Sequence, residues 1–142
     1  MRLRVLIKVG LAVLGLGGMA VALPPYVAAA LSAGDADGAS DAVASALSEG
    51  RDQAMRLGRP VEVLFDASQR SIEVQGGRWR KLQGSATMSA PAAGQDGRSV
   101  VNFFPDGSSS GGQVVVFAGG QAWWLMVDGP TGGVRRIHAV AR

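Results

Sequence analysis

Cysteine is absent from the 142-residue chain, and histidine occurs once, at His138. Without cysteine there is no disulfide scaffold and no thiolate metal site, and one histidine makes no metal-binding cluster. Paired carboxylates at catalytic spacing, a phosphate-binding loop and a G-x-S-x-G elbow are also missing. Ser108, Ser109 and Ser110, with Asp106 and His138, supply the residue types of a hydrolytic triad. Nothing in their spacing supports one, and they read as a Ser/Gly loop between strands. Gly15, Gly17 and Gly18 lie in an apolar run with no strand before it, so they are no dinucleotide fingerprint. The sequence argues against an enzyme and implies no metal and no cofactor.

Charge is lacking from Val9 to Gly34, the longest uncharged run in the chain. Ahead of it stand Arg2, Arg4 and Lys8, with no acid. They account for the whole net charge of +3, because the remainder carries 11 basic and 11 acidic residues. The pI near 10.2 therefore describes one terminus and gives little reason to expect nucleic acid as a partner. Val9 to Leu31 is rich in Leu, Val and Ala. As a helix it would reach about 35 Å, enough for a bilayer core of roughly 30 Å, with the cations holding one end in the cytoplasm. Gly15, Gly17, Gly18 and the Pro24-Pro25 pair weaken that helix. A secretory signal peptide fits equally well, with small-residue cleavage sites at Ala28-Ala29-Ala30 and Leu31-Ser32-Ala33. Both readings put residues 35–142 outside the cytoplasm.

Ser32 to Ser40 is small and polar and reads as a flexible joint. Ser40-Asp41 then caps an amphipathic helix running to about Leu57, with Val43, Leu47, Ala54 and Leu57 on its docking face. Gly58 and Pro60 stop it. Beyond Pro60 the apolar period becomes two. Strands are expected at Val61–Asp66, Ile72–Val74, Arg78–Gln83 with Trp79 inward, Thr87–Met88 and Ser99–Phe104. Ala90 to Gly97 is a loop, and Gln113–Ala118 and Gln121–Val127 flank a Gly119-Gly120 hairpin turn. A last strand covers Val134–Val140. Trp123 and Trp124 must point to opposite faces, one into the core and the other more readily covered by the helix than exposed. Arg78, Arg80 and Lys81, and Arg135, Arg136 and Arg142, form two basic clusters that read first as solvated strand faces.

Three segments resemble one family. Leu47 to Val61 (LSEGRDQAMRLGRPV) is similar to the "LxxARSEAIRRGRPV" segment of minor pseudopilins. Asn102 to Gly112 (NFFPDGSSSGG) resembles their "FxPDGSSSGG" loop, and Trp124 to Arg135 their closing "VDxxTGxVR". The family is the GspH/FimT type of type II secretion and type IV pili, and the resemblance covers roughly residues 20–140. It implies a retained N-terminal helix, interrupted at Ala22-Leu23-Pro24, whose first half sits in the membrane and then in a filament core. Family members begin with a prepilin-peptidase site, Gly before Phe-Thr-Leu-Ile-Glu, and carry a methylated N-terminus after processing. Counted back from Pro24, Arg2 and Ile7 stand where that Gly and Glu would be, and Gly10-Leu11 lies too close to Pro24 to replace them.

The resulting expectation is an α+β, pilin-like fold: a membrane helix and an amphipathic helix packed on an antiparallel sheet or small sandwich. Residues 1–33 form the filament-core helix, 34–58 the joint and amphipathic helix, and 59–142 a periplasmic β domain. Val13, Leu14, Leu16, Val21, Leu23 and Leu31 would pack helix on helix. Asp106, Ser108, Ser109, Ser110, Trp123 and Trp124 are the candidate partner surface. The partners implied by the resemblance are other minor and major pseudopilins, the inner-membrane platform of the secretion system, and the secreted protein or outer-membrane channel. An alternative is a type IV pilus minor pilin involved in pilus biogenesis or DNA uptake, with Arg78, Arg80, Lys81, Arg135, Arg136 and Arg142 as the DNA contacts. A further alternative is a signal-peptide-cleaved periplasmic β domain that binds a protein partner.

Overall fold

The computed structural model describes residues 25–90 and 98–140. One helix, α1 (Pro25–Leu57), is followed by eight strands: β1 (Val61–Asp66), β2 (Ser71–Val74), β3 (Arg80–Lys81), β4 (Thr87–Ser89), β5 (Arg98–Phe103), β6 (Gly112–Ala118), β7 (Gln121–Val127) and β8 (Val134–Val140). They form two four-stranded sheets, in the orders β3-β2-β1-β5 and β4-β6-β7-β8, with every pairing antiparallel. This is the expected α+β architecture.

The helix corrects two expectations. Ser32 to Ser40 is no flexible joint, because α1 runs through it without a break. Ser40 is no N-cap either: it is buried in mid-helix, and its hydroxyl donates back to the carbonyl of Asp37 at 2.9 Å. Both predicted signal-peptidase sites involve residues of α1. The buried residues Ala36, Ala39, Ser40, Val43, Ala46, Leu47, Gly50 and Ala54 recur at three- and four-residue steps, one continuous stripe on the sheets. Most are small, so the helix axis lies close. A Cβ on Gly50 would collide with Cγ2 of Val63 and stand 3.2 Å from Cδ2 of Phe103. Leu57, expected on the docking face, is 52% exposed because the helix ends there. Gly58 (φ +65°) takes the left-handed C′ position, its amide donating to Ala54 at 3.0 Å, and Pro60 prevents a further turn.

The strands follow the period-two pattern. Val61, Val63 and Phe65 on β1, Val101 and Phe103 on β5, and Ile72 and Val74 on β2 point inward. Val114, Val116, Leu125 and Val127 do so from the second sheet, and with Val43 and Leu47 they complete one buried cluster. Gly119 (φ +55°) and Gly120 (φ +74°) give the doubly left-handed two-residue turn that suits the twist of β6 and β7. The expected strand Arg78–Gln83 shrinks to Arg80–Lys81, and Trp79, expected inward, is 41% exposed. Gly76 (φ +81°) and Gly77 hold a turn just upstream, so the chain reaches the sheet edge only at Arg80. Among the described residues no helix is long and apolar enough to cross a membrane. The apolar run Val9 to Leu23, with Val13, Leu14, Leu16, Val21 and Leu23, lies outside them, as do the side chain of Leu31 and most of the predicted loop Ala90 to Gly97.

Candidate functional site

The three motif segments, distant in sequence, meet at the C-terminal end of α1. Arg51, inside the helix motif, donates from Nε to the carbonyl of Gly107 at 3.0 Å. Gly107 (φ +86°) closes a turn whose amide donates to Phe104 at 2.9 Å. Gly132, from the third segment, lies against the same carbonyl. A Cβ there would collide with the Gly107 oxygen and approach Arg51 Nε to 3.1 Å, so helix, β5–β6 loop and β7–β8 turn share one close junction.

The serines build that junction. Ser109 is buried; its amide donates to Gly129 at 2.7 Å and its hydroxyl to the carbonyl of Asp128 at 2.8 Å. Ser110 exchanges bonds with Asn102, its amide donating to the Asn102 carbonyl at 2.8 Å and its Oγ accepting from the Asn102 amide at 3.0 Å. Asp106 accepts from the Ser108 hydroxyl at 2.6 Å and amide at 3.0 Å, and the hydroxyl, then the amide, lowers its carboxyl below the ordinary value. Asp128 is lowered in the same way by the Thr131 hydroxyl at 2.6 Å, the Thr131 amide, and the charge of Arg135. Asp106, Ser108 and Ser110 keep some exposure, while Ser109, expected on the partner surface, is interior. His138 is not brought to the serines; it stacks on Trp123 with ring centroids 4.5 Å apart and bonds Gln121.

Trp123 and Trp124 do face opposite ways. Trp123 lies partly buried under α1, its indole donating to Asp37 at 2.7 Å, with Arg136 5.3 Å over its ring. Of the pair, the residue expected to be covered rather than exposed is Trp124, and it is instead 40% exposed on the outer face of the second sheet, beside Ile137 of β8 and Val115 of β6 in the ladder, while the helix covers Trp123. The helix covers only the inner face, and the odd–even alternation of β7 leaves Trp124 outside. The basic clusters sit on edge strands of different sheets, or beside them. Arg80 pairs with Glu49 at 2.9 Å, and Arg136 with Asp41 and Ser40, while Arg78, Lys81 and Arg135 are exposed; Arg142 lies outside the described residues.

Sequence reasoning missed the partners of the acids in and just after the supposed joint. Asp35 accepts from the Ser85 amide at 2.9 Å and hydroxyl at 3.0 Å, Asp37 holds Trp123, and Asp41 holds Arg136. The signal was present in the apolar residues Ala36, Ala39 and Val43, which recur at helical spacing among and just after them. Among the described residues, no three His, Asp or Glu side chains gather as a metal site.

A long helix laid across two antiparallel sheets, its end clamped to two glycine loops, defines a pilin-like subunit. Two solved structures share this fold. The minor pseudopilin EpsH of the Vibrio cholerae type 2 secretion system superposes with a TM-score of 0.54 at 15% identity, over 72% of this chain and 96% of that one. The Pseudomonas aeruginosa type IV minor pilin FimU gives 0.58 at 12% identity, over 72% and 87%. Residues 39–133 match the family described as Type II transport protein GspH. Type II secretion system protein H of Xanthomonas campestris pv. campestris is 32% identical, over 81% of this chain and 73% of that protein. The chain belongs to the GspH family of minor pseudopilins.

Proposed function

We propose that the chain is a non-enzymatic minor pseudopilin of a type II secretion system. The observation that carries this reading is the 32% identity to the Xanthomonas secretion protein. In this role the apolar run from Val9 waits in the inner membrane with the β domain in the periplasm. It is then extracted into a filament core, where Val13, Leu14, Leu16, Val21, Leu23 and Leu31 pack against helices of other pseudopilins. The inner-membrane platform drives that assembly. Asp106, Ser108 and Ser110, at the rim of the clamped loops, and Trp124 meet neighbouring subunits, the secreted protein or the outer-membrane channel. Rigid scaffolds commonly present recognition on loops of this kind. Removing the gene from its host should abolish secretion through that system, and co-purification should recover the other minor pseudopilins. Normal secretion together with no co-purified pseudopilin would sink the reading.

The TM-score of 0.58 with a type IV minor pilin favours a second reading, a pilus subunit that handles DNA. Arg78, Lys81 and Arg135 would then be the principal contacts, with Arg80 and Arg136 drawn from their acidic partners and Arg142 adding a cation. DNA binding should weaken steeply with salt. Absence of a gel shift at low salt removes this option.

A further inference from the structure

We propose that the open edge of β8 is a strand-addition site that receives an extended, acidic segment of a partner protein. A sheet edge is a row of unpaired amides and carbonyls, and proteins usually shorten, cover or interrupt it. Two of the four edges here are very short and a third is partly covered. β3 has two residues and β4 has three. β5 is capped on its far side at Asn102 and Phe103, by the bonds between Ser110 and Asn102 and the Phe103–Ser109 bridge, which among the described residues leaves only Arg98 to Val101 without a strand partner there. β8 differs. It is seven residues long, pairs with β7 in unbroken register, and has no proline, glycine or bulge. None of its residues is buried, Ile137 being 48% exposed, and among the described residues no strand pairs with its outer side.

The edge is also held ready. Arg136 is tied to Asp41 and Ser40 of the helix, and His138 is stacked on Trp123, so the inward side chains fix the strand against α1. An ordered template spares the partner part of the ordering cost. Charge selects what fits. Val134 to Val140 carries Arg135, Arg136 and His138 and no acid. Self-pairing of two copies would gather four arginines in one ladder, which like-charge repulsion disfavours. An incoming strand with acids facing Arg135 and Arg136, and apolar residues facing Ile137, meets both requirements. It would extend the outer apolar face of Trp124, Phe117 and Met126.

The test uses the full chain in detergent and a short synthetic peptide of the pattern Thr-Val-Glu-Glu-Thr, whose valine stands opposite Ile137 and whose consecutive glutamates stand opposite Arg136 and Arg135 in an antiparallel pairing, read by hydrogen exchange. The peptide should slow exchange at alternate β8 amides. N-methylation of the peptide along one edge should abolish this slowing. Arg135→Glu should weaken binding roughly fivefold, since Arg135 is exposed and outside the core. Lack of slowing at β8, or equal binding of a lysine-for-glutamate peptide, would overturn the proposal. Slowing that rises with protein concentration alone would overturn it too, by assigning the edge to a second copy.

Discussion

Arg51 reaches from the helix to the Gly107 carbonyl at 3.0 Å, and Gly132 packs against the same oxygen. At Gly132 both backbone and space exclude a side chain, since φ is +66° and a Cβ would strike the Gly107 carbonyl. Gly132→Ala should therefore destabilise by more than about 1 kcal/mol, measured as a lower denaturant midpoint. An unchanged midpoint would show that the junction is loose. Titration gives a second prediction at this scale. Asp66, Asp106 and Asp128 have carboxyls lowered from 3.8, chiefly by the hydroxyls of Ser68, Ser108 and Thr131. Lowered carboxyls favour the folded state fully above the unfolded value near 3.8, and that stability is lost as pH falls through the lower folded values. Stability should decline below about pH 4. The double variant Asp106→Asn with Asp128→Asn should flatten the decline, and an equally steep loss in the variant would refute the assignment.

Glycines within one helix do opposite things. Gly38 has nothing within 4 Å of a built Cβ, whereas Gly50 faces Val63 and Phe103. Gly38→Ala should stabilise by about 0.5–1 kcal/mol through helix propensity alone. Gly50→Ala should cost about 1–3 kcal/mol, because the helix or Val63 must move. Thermal unfolding of both variants checks the contrast, and shifts of the same sign would contradict it. Local propensity was legible where no tertiary contact opposes it: Gly58 and Pro60 end α1, and Gly119-Gly120 turns β6 into β7. It misled at Ser32 to Ser40, where Gly34, Gly38, Asp35 and Asp37 suggest a loop. The helix persists there because Asp35, Asp37 and Asp41 bond Ser85, Trp123 and Arg136, residues 50, 86 and 95 positions away. The motif junction was legible only as three separate segments. Their meeting depends on a turn carbonyl and on the inward direction of Ser109, which residue type does not encode.

The helix touches strands of both sheets: β1, β2 and β5 of the first, and β6, β7 and β8 of the second. It is the shared wall of one core, and this predicts how the molecule comes apart. If the sheets depend on α1, loss of the helix and loss of either sheet coincide in a single transition. Leu47 is fully buried in the stripe that both sheets share. Leu47→Ala should cost about 2–5 kcal/mol. The loss should lower the midpoint seen by far-ultraviolet circular dichroism, which reports the helix, as much as that seen by amide exchange in β1 and in β7. Displacement of one sheet's midpoint alone would mean that the sheets fold separately and that α1 merely lies upon them. The distinction bears on the proposed function, because under that reading a subunit drawn out of a membrane by its helix would transmit the pull to both sheets only if α1 is structurally continuous with each.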